Sequence, residues 1–443
     1  MIALKTSTSC RFMDKPYQKR MNFIVAVIDS NGGDGYGLPM TQRDDTSHVH
    51  PPKRSQEPFQ SLAMPVERAS TVVFDDLESF ERRVARLYDG FSYGLYGTPT
   101  SRQLEDHIAM LEHATRALVV PSGMAAIVLA TMATCRCGDR VLMPETLYGP
   151  ARDMMARFLG PLGINAVSYD PRLDAGIVAL LDDATRLIWV ESPGSTTLEV
   201  QDVPAIVAAA HKAGALVAAD NTWASHLLFK PLDHKVDISM QALSKHAGGH
   251  GDLLMGSLAV RDEALFRRLK DTARFLGYGV SPEDCALCER GLMTMPVRMR
   301  HADVTARSIM EWLSGRTEIA QLLHPSLPDH PGHAVWKRDF AGSAGVFSFV
   351  LRPELAALQS KVLAHMRLFR LGASWGGVHS LISVSDPRRD RTSPDWLKRG
   401  PVWRLSIGLE APDDLLADLS QAFDLFAEVR RDGAALADAK AAE

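Results

Sequence analysis

Residues 117–220 alternate short apolar runs with stretches of helical periodicity. This alternation is typical of an α/β fold in which a mostly parallel sheet is covered on both faces. Because ligands bind outside the carboxyl ends of the strands in such sheets, residues that follow the strands should converge on one site. Those residues are Glu191, Asp220 and the turn Pro121-Ser122-Gly123. The apolar runs occupy residues 117–120, 140–143, 166–169, 186–190 and 216–220.

The segments on either side of this region differ from it. Residues 1–58 are rich in Gly, Pro, Ser and charge, so we predict loop or extension there. A helix-compatible stretch at 282–313 leads into a smaller α+β part, for which we predict strands at 343–351 and 403–409. The resulting division is an extension at 1–40, an arm at 41–100, a large domain at 101–290 and a C-terminal domain at 291–443.

The predicted helices have clear boundaries in places. Asp202 caps a helix at 203–212, which carries Pro204 in its first turn and ends before Gly214. The other predicted helices lie at 124–134, 151–159, 355–364 and 412–430.

Composition argues against several function classes. The formal net charge of -4 disfavours a nucleic-acid surface, and no apolar stretch approaches the length of a membrane span. The apolar run at 23–28 is too short for a secretory signal, and Asp29 follows it without a cleavage site. We expect a poorly ordered N-terminal extension, or Met40 as the functional start, and a cytoplasmic protein.

Cysteine and histidine spacing does not predict a metal site. The odd count of five cysteines does not suggest a disulfide framework. Cys285 and Cys288 lie one turn apart on a predicted helix, and we interpret them as buried small hydrophobes. The glycines between His246 and Asp252 favour a turn. No metal is therefore expected.

Lys245 and Asp220 together suit a pyridoxal phosphate (PLP) site. A strand that ends in a carboxylate is followed about twenty-five residues later by a lysine among small and hydroxyl residues. The lysine would form a Schiff base with the cofactor, and the carboxylate would keep the pyridine nitrogen protonated. For an isolated pair, a surface lysine and a helix-capping aspartate is the commoner alternative.

Further residues have types that fit such a site. The main-chain N–H groups after Ser122, at the start of a helix, could bind a phosphate. Tyr148 could stack on a planar ring or simply pack in the core. Arg404, within an apolar strand, suits a substrate carboxylate or a structural ion pair. Ser244 could donate to the phosphate.

These residues lie in segments that resemble the Cys/Met-metabolism PLP-dependent enzymes, and within them the cystathionine β-lyases, from about Gln42 to the C-terminus. The resemblance implies the fold-type I, aspartate aminotransferase-like architecture. It also implies a homotetramer built from dimers that share active sites through the N-terminal arm. The matching segments are Tyr93-Gly94-Leu95-Tyr96-Gly97-Thr98-Pro99-Thr100, Pro121-Ser122-Gly123-Met124, Glu145-Thr146-Leu147-Tyr148-Gly149, Glu191-Ser192-Pro193-Gly194-Ser195, Asp220-Asn221-Thr222-Trp223, Ser244-Lys245, Ser374-Trp375-Gly376-Gly377 and Arg404-Leu405-Ser406-Ile407-Gly408-Leu409-Glu410.

The resemblance assigns roles residue by residue. Lys245 would carry the cofactor and move protons, and Asp220 would pair with the pyridine nitrogen. Tyr148 would stack on the ring. Gly123, Met124 and Ser244 would hold the phosphate. Tyr93 would reach in from the neighbouring subunit, where it would help to bind the phosphate and lie close to the reacting amine. The substrate would be bound by Arg404, Ser374 and Trp375.

Several positions depart from the family pattern. An arginine expected near Tyr93 is replaced by Leu95 and Tyr96, so cofactor affinity is expected to fall by about tenfold to a hundredfold. His246 stands where tyrosine is usual. Gly251 replaces a serine, and Val378-His379 replaces Tyr-Glu. These changes surround the site and leave its core residues in place.

The expected activity is α,β-elimination on cystathionine or a related S-substituted cysteine, which yields a thiol such as homocysteine, pyruvate and ammonia. Trp375 favours a β-lyase, because γ-acting relatives usually carry leucine there. The alternatives are a γ-acting member, such as a cystathionine γ-synthase or homoserine sulfhydrylase, and a catalytically weakened PLP-binding protein that acts through protein contacts. The partners expected are an amino-acid substrate and further copies of the chain, without nucleic acid or membrane.

Overall fold

A computed structural model describes residues 43–52, 61–389, 391, 396 and 399–441. The predicted extension at residues 1–40 lies outside the described residues, as does Cys10. The described residues from Arg43 onward belong to one unit, and two sheets organise it.

We predict loop or extension for residues 1–58, but part of this segment is helical. Asp44–Val49 forms a helix, α1. Asp44 and Asp45 lie in its first turn, where carboxylates interact favourably with the helix dipole. His48 is fully buried and contacts His226, so tertiary packing stabilises a helix that local composition did not predict.

The arm continues through a short helix and into a longer one. Asp76 caps α2 (Leu77–Glu81) by accepting from the N–H of Ser79 at 2.7 Å. Thr98 and Ser101 form a reciprocal capping box at the start of α3 (Pro99–Leu111).

A seven-stranded mixed sheet forms the larger part of the protein. Its spatial order is β1-β7-β6-β5-β4-β2-β3, and only β7 runs antiparallel to its neighbours among the described strands. The prediction of an α/β fold with a mostly parallel sheet is therefore confirmed. The strands are β1 (Arg116–Val120), β2 (Arg140–Pro144), β3 (Asn165–Tyr169), β4 (Thr185–Glu191), β5 (Leu216–Asp220), β6 (Ile238–Gln241) and β7 (Gly256–Val260).

Both faces of this sheet are buried, which explains the continuous apolar runs. Successive β4 residues alternate between two hydrophobic clusters: Leu187 and Trp189 belong to one, and Ile188 and Val190 to the other. Helices supply the facing side chains. The helices of this region are α4 (Gly123–Thr134), α5 (Gly149–Met154), α6 (Val203–Lys212), α7 (Ser225–Leu228) and α8 (Glu263–Phe275).

The helix predicted at 151–159 changes character midway. Its α-helical part is α5, and Met155–Leu159 continues as one turn of π-helix.

A 33-residue helix, α9 (Pro282–Ser314), leads to a smaller five-stranded sheet. That sheet has the order β10-β11-β12-β9-β8 and is antiparallel except for the β10–β11 pair. The predicted domain boundary between residues 290 and 291 falls within α9 and stays a prediction. The remaining elements are β8 (Ile319–Leu323), α10 (His333–Asp339), β9 (Val346–Leu351), α11 (Gln359–His365), β10 (Arg370–Leu371), β11 (Leu381–Ser385), β12 (Val402–Ser406) and α12 (Pro412–Ala441).

The C-terminal strand is shorter than the predicted 403–409. It ends at Ser406, although the N–H of Ile407 still donates to the carbonyl of Gly345, the next position in register on the β9 side. No helix within the described ranges is both long and apolar enough to cross a membrane.

Candidate active site

Lys245 lies in a tight turn between β6 and β7. Its N–H donates to the carbonyl of Ala242 at 3.1 Å. The preceding Ser244 is bonded to the start of β7: its hydroxyl accepts from the N–H of Met255 at 3.0 Å and lies 3.3 Å from the Met255 carbonyl. The lysine is therefore held on a turn anchored to the large sheet.

The amine of Lys245 reaches the C-terminal part of the chain. Its Nζ donates to Oγ of Ser374 at 2.7 Å and lies 5.7 Å from the ring centroid of Trp375. Burial lowers the pKa of Lys245, the charge of Arg404 lowers it further, and Asp220 opposes both effects. An amine with a lowered pKa is more often neutral, which a Schiff-base lysine requires.

Asp220 ends β5, and its side chain is buried at 8% exposure. Its Oδ1 accepts from the N–H and the hydroxyl of Thr222, at 3.0 and 2.5 Å. Burial raises the pKa of Asp220, and the charge of Lys245 is among the opposing effects. A buried carboxyl at the end of a strand suits a ring nitrogen that must remain protonated.

The loop between β1 and α4 forms a close-fitting helix start. Ser122 caps α4 by accepting from the N–H of Ala125 at 3.0 Å. A Cβ atom at Gly123 would lie only 2.7 Å from Cβ of Ala242, so glycine is required by the approach of the segment before Lys245. Met124 occupies the first turn. The predicted phosphate-binding residues thus meet the lysine turn.

Two tyrosines were predicted for this site, and they lie in different surroundings. Tyr148 precedes α5, is 41% exposed and donates its N–H to Oε2 of Glu191 at 2.7 Å. Tyr93 is 46% exposed, pairs with Thr71 in an isolated bridge and packs edge-on against Tyr96. Neither described partner of Tyr93 is a predicted site residue of its own chain.

Arg404 lies on β12, between Ser383 of β11 and Ser348 of β9 in the strand register. Burial lowers the pKa of Arg404, while Glu191 and Tyr148 oppose this shift. Arg404, Tyr148 and Ser195 line one cleft of about 380 Å³. A guanidinium in a cleft of this kind can bind a carboxylate through two parallel hydrogen bonds.

Trp375 is packed against the histidine that follows the lysine. The rings of His246 and Trp375 meet edge to face with centroids 5.3 Å apart. His246 donates from Nε2 to the carbonyl of Trp223 at 3.2 Å, and burial lowers its pKa to about 3. The histidine that replaces the usual tyrosine is thus a neutral packing residue beneath Trp375.

The segment that lacks the expected arginine packs within its own chain. Leu95 lies close to Gly279, since a Cβ atom there would be 3.2 Å from Cδ1 of Leu95. The guanidinium of Arg274 lies 5.9 Å from the ring centroid of Tyr96. Arg102 donates to the carbonyl of Tyr96 at 2.8 Å.

Glu191 and Ser195 have no role predicted from the sequence, although both lie in a matching segment. Glu191 was expected only to lie near the site as the end of a strand. Its contact with the main chain of Tyr148 joins residues 43 positions apart, so no local pattern predicted it.

The residues of this site fit PLP. A neutral-tending amine, a buried carboxyl and a glycine-tight helix start correspond to the aldehyde, ring nitrogen and phosphate of that cofactor. Tyr148 is exposed and lines the cleft that contains Arg404. The amine, the carboxyl and the helix start together account for the three functional groups of PLP.

Known proteins share both the sequence and the fold. A putative cystathionine beta-lyase of Rhizobium johnstonii is 41% identical over 81% of this chain and 90% of its own length. The cystathionine beta-lyase of Escherichia coli is 37% identical over 86% of this chain and 98% of its own. A solved cystathionine gamma synthase from Xanthomonas oryzae pv. oryzae has a TM-score of 0.78 at 29% identity and covers 86% of this chain and 98% of its own.

The model of the family described as "Cys/Met metabolism PLP-dependent enzyme" matches residues 45–424. This match covers most of the chain and includes every predicted site residue. The fold-type resemblance and the cofactor prediction are therefore confirmed. The chain belongs to the Cys/Met metabolism PLP-dependent enzyme family.

Proposed function

We propose that this enzyme is a carbon–sulfur lyase that catalyses α,β-elimination on cystathionine or a related S-substituted cysteine. Water and cystathionine would give homocysteine, pyruvate and ammonia. The observation that carries the proposal is the position of the Lys245 amine, 2.7 Å from Ser374 and 5.7 Å from the ring of Trp375. Tryptophan at position 375 favours a β-lyase over a γ-acting enzyme.

The residues around the cofactor would each perform one task. Asp220 would hold the ring nitrogen protonated, and Tyr148 would cover the ring from the cleft side. Gly123, Met124 and Ser244 would hold the phosphate. Bound PLP would supply the electron sink that stabilises negative charge at the substrate Cα.

The substrate would be held and deprotonated by residues on both sides of the cleft. Arg404 would bind the α-carboxylate, and Ser374 would donate a further hydrogen bond to it. Nζ of Lys245, as a free amine, would then remove the Cα proton. Loss of that proton allows the Cβ–S bond to break, and the sulfur takes up a proton and leaves as a thiol. Water would hydrolyse the remaining three-carbon part to pyruvate and ammonia.

We also propose that the enzyme assembles as a homotetramer in the cytoplasm. Tyr93 is 46% exposed and contacts only its own arm in the described contacts, which suits a residue that completes a neighbouring copy's site. The odd number of cysteines suits a reducing compartment.

Two alternatives have observations in their favour. A γ-acting enzyme is supported by the similarity in fold to a cystathionine gamma synthase. A PLP-binding protein with weakened catalysis is supported by Leu95 and Tyr96, which stand where an arginine is usual.

Product analysis separates these candidates. Purified protein with added PLP is incubated with cystathionine, and separately with an activated homoserine plus cysteine. Pyruvate with a free thiol supports the lyase. 2-Oxobutyrate or a new thioether supports a γ-acting enzyme. A bound cofactor spectrum without any turnover supports the weakened protein.

A further inference from the structure

Glu191 is a buried residue of the site, and its carboxyl has no task in the proposed mechanism. It ends β4 and is 7% exposed. Its Oε2 accepts the N–H of Tyr148 at 2.7 Å, and its Oε1 accepts the hydroxyl of Ser195 at 2.6 Å. Both oxygens therefore bind groups from loops that border the cleft.

The two loops are also in direct contact. The N–H of Ser195 donates to the carbonyl of Thr146 at 3.0 Å. A Cβ atom at Gly194 would lie 2.4 Å from Cβ of Thr146, so only glycine allows this approach. Thr196, which follows, has a left-handed φ of 67°, a conformation that costs energy for a non-glycine residue. Such strain persists only where surrounding contacts impose it.

Glu191 also faces the charged groups of the site. It is the register partner of Asp220 on the adjacent strand β5. Burial raises the pKa of Glu191, and the nearby Asp220 raises it further, while the bonds from Ser195 and Tyr148 oppose this. Glu191 in turn favours the charged form of Arg404 on β12. The carboxyl is thus coupled both to the ring-nitrogen acid and to the proposed substrate arginine.

We propose that Glu191 is a positioning residue. It fixes the main chain of Tyr148, and so restricts the ring that would cover the cofactor, and it joins the loops after β2 and β4 into one wall. As a second carboxyl beside Asp220, it also sets the local charge. The positioning role rests on the proposed function only where turnover is measured. The spectra of the bound cofactor test it without any substrate.

The test uses two Glu191 variants of the PLP-loaded protein. Glu191→Gln keeps a carbonyl oxygen for the Tyr148 N–H but cannot ionise. Glu191→Ala removes the acceptor. The matched control is Glu112→Gln, which neutralises another buried carboxyl, one bonded to Ser239 and Gln241. A cooperative thermal unfolding transition establishes that each variant folds. If Glu191→Ala does not fold, the measurement on Glu191→Gln still tests the effect of the Glu191 charge.

Two spectroscopic readouts distinguish positioning from a general structural role. Visible circular dichroism of bound PLP should fall in Glu191→Ala and be largely restored in Glu191→Gln. The visible absorbance of bound PLP changes with its protonation, and the pH at the midpoint of this change should decrease in Glu191→Gln by about half a pH unit or more. The reason is that no negative charge can then form at position 191 to favour the protonated cofactor. Glu112→Gln should match the wild type in both.

The outcomes are separable from the lyase proposal. Unchanged circular dichroism in a folded Glu191→Ala would overturn the positioning role of Glu191. An unchanged midpoint in Glu191→Gln, or an equal shift in Glu112→Gln, would overturn its effect on the local charge, even if wild-type protein releases pyruvate. If the wild type releases no pyruvate while the Glu191 spectra change as described, the lyase proposal fails and the positioning role stands.

Discussion

The amine of Lys245 donates a 2.7 Å hydrogen bond to the hydroxyl of Ser374, a residue 129 positions away. Lys245 is anchored to the large sheet through the Ser244–Met255 bonds. Ser374 lies in the loop that precedes β11 of the small sheet and neighbours Trp375. The bond therefore shows that the proposed cofactor lysine and the proposed substrate-binding loop meet at one atom pair.

Replacement of Ser374 should weaken substrate binding more than chemistry. Ser374→Ala removes the hydroxyl proposed to donate to the substrate carboxylate, and a hydrogen bond to a charged group contributes about 1.5–3 kcal/mol. KM for cystathionine should rise by about tenfold or more, with a smaller change in kcat. Steady-state kinetics checks this. Ser385→Ala, which alters another serine, one that lines the cleft of Arg404, should leave KM unchanged, and an unchanged KM in Ser374→Ala would contradict the assignment.

Arg404 should not tolerate lysine. A lysine keeps the charge but lacks the planar fork that binds a carboxylate at two points. Arg404→Lys should therefore lose about tenfold or more in kcat/KM. The variant should still bind PLP, which visible absorbance measures. Wild-type kcat/KM in Arg404→Lys would show that the arginine is structural.

An arginine restored to the arm should tighten cofactor binding. Leu95→Arg supplies the cation that the resemblance led us to expect beside the neighbouring subunit's phosphate. The dissociation constant of PLP should fall by about tenfold to a hundredfold, since one charge-assisted hydrogen bond is gained. Titration of the apoenzyme with PLP measures it, and higher salt should reduce the gain. Leu95→Gln, which is uncharged, is the control. Equal affinities for the arginine and glutamine variants would refute the phosphate role.

Acid should destabilise the protein through a buried histidine pair. The Nε2 atoms of His48 and His226 lie 3.0 Å apart. Burial lowers the pKa of both, and Lys230 and His107 add to the effect, while Asp44 opposes it at His48. As pH falls, these two histidines are therefore protonated at a higher pH in the unfolded chain than in the folded protein. The pair's contribution to stability is full above the ordinary value of 6.5 and is lost as pH falls below it.

The melting temperature should consequently drop between about pH 7.5 and about pH 5. His226→Gln removes one titrating ring, so its drop over this range should be smaller than that of the wild type. His301→Gln, which alters an exposed histidine on α9, should keep the wild-type drop. The same drop in all three proteins would argue against the pair as its source.

Strand-end chemistry was predictable from the sequence because it is local. The apolar runs that end in Glu191 and Asp220 identified β4 and β5, and parallel register then brings the two carboxyls side by side. Helix α6 was predicted at its observed bounds, since Asp202, Pro204 and Gly214 mark its ends.

Contacts that depend on tertiary packing were not predictable in this way. α1 forms where local composition suggested loop, because His48 is buried against His226. The bonds from Glu191 to Tyr148 and Ser195 require the loops after β2 and β4 to meet. The edge-to-face contact of His246 with Trp375 joins the two sheets' loops, and nothing in either segment indicates the other.

The most direct test of the central proposal is the stoichiometry of cystathionine cleavage by the PLP-loaded protein. Homocysteine and pyruvate are quantified together over the same time course, for wild type and for Lys245→Ala loaded with PLP. We predict equal amounts of the two products from the wild type and none above background from Lys245→Ala. Absence of pyruvate from the wild type, or equal turnover by Lys245→Ala, would contradict a β-lyase that uses Lys245 as its base.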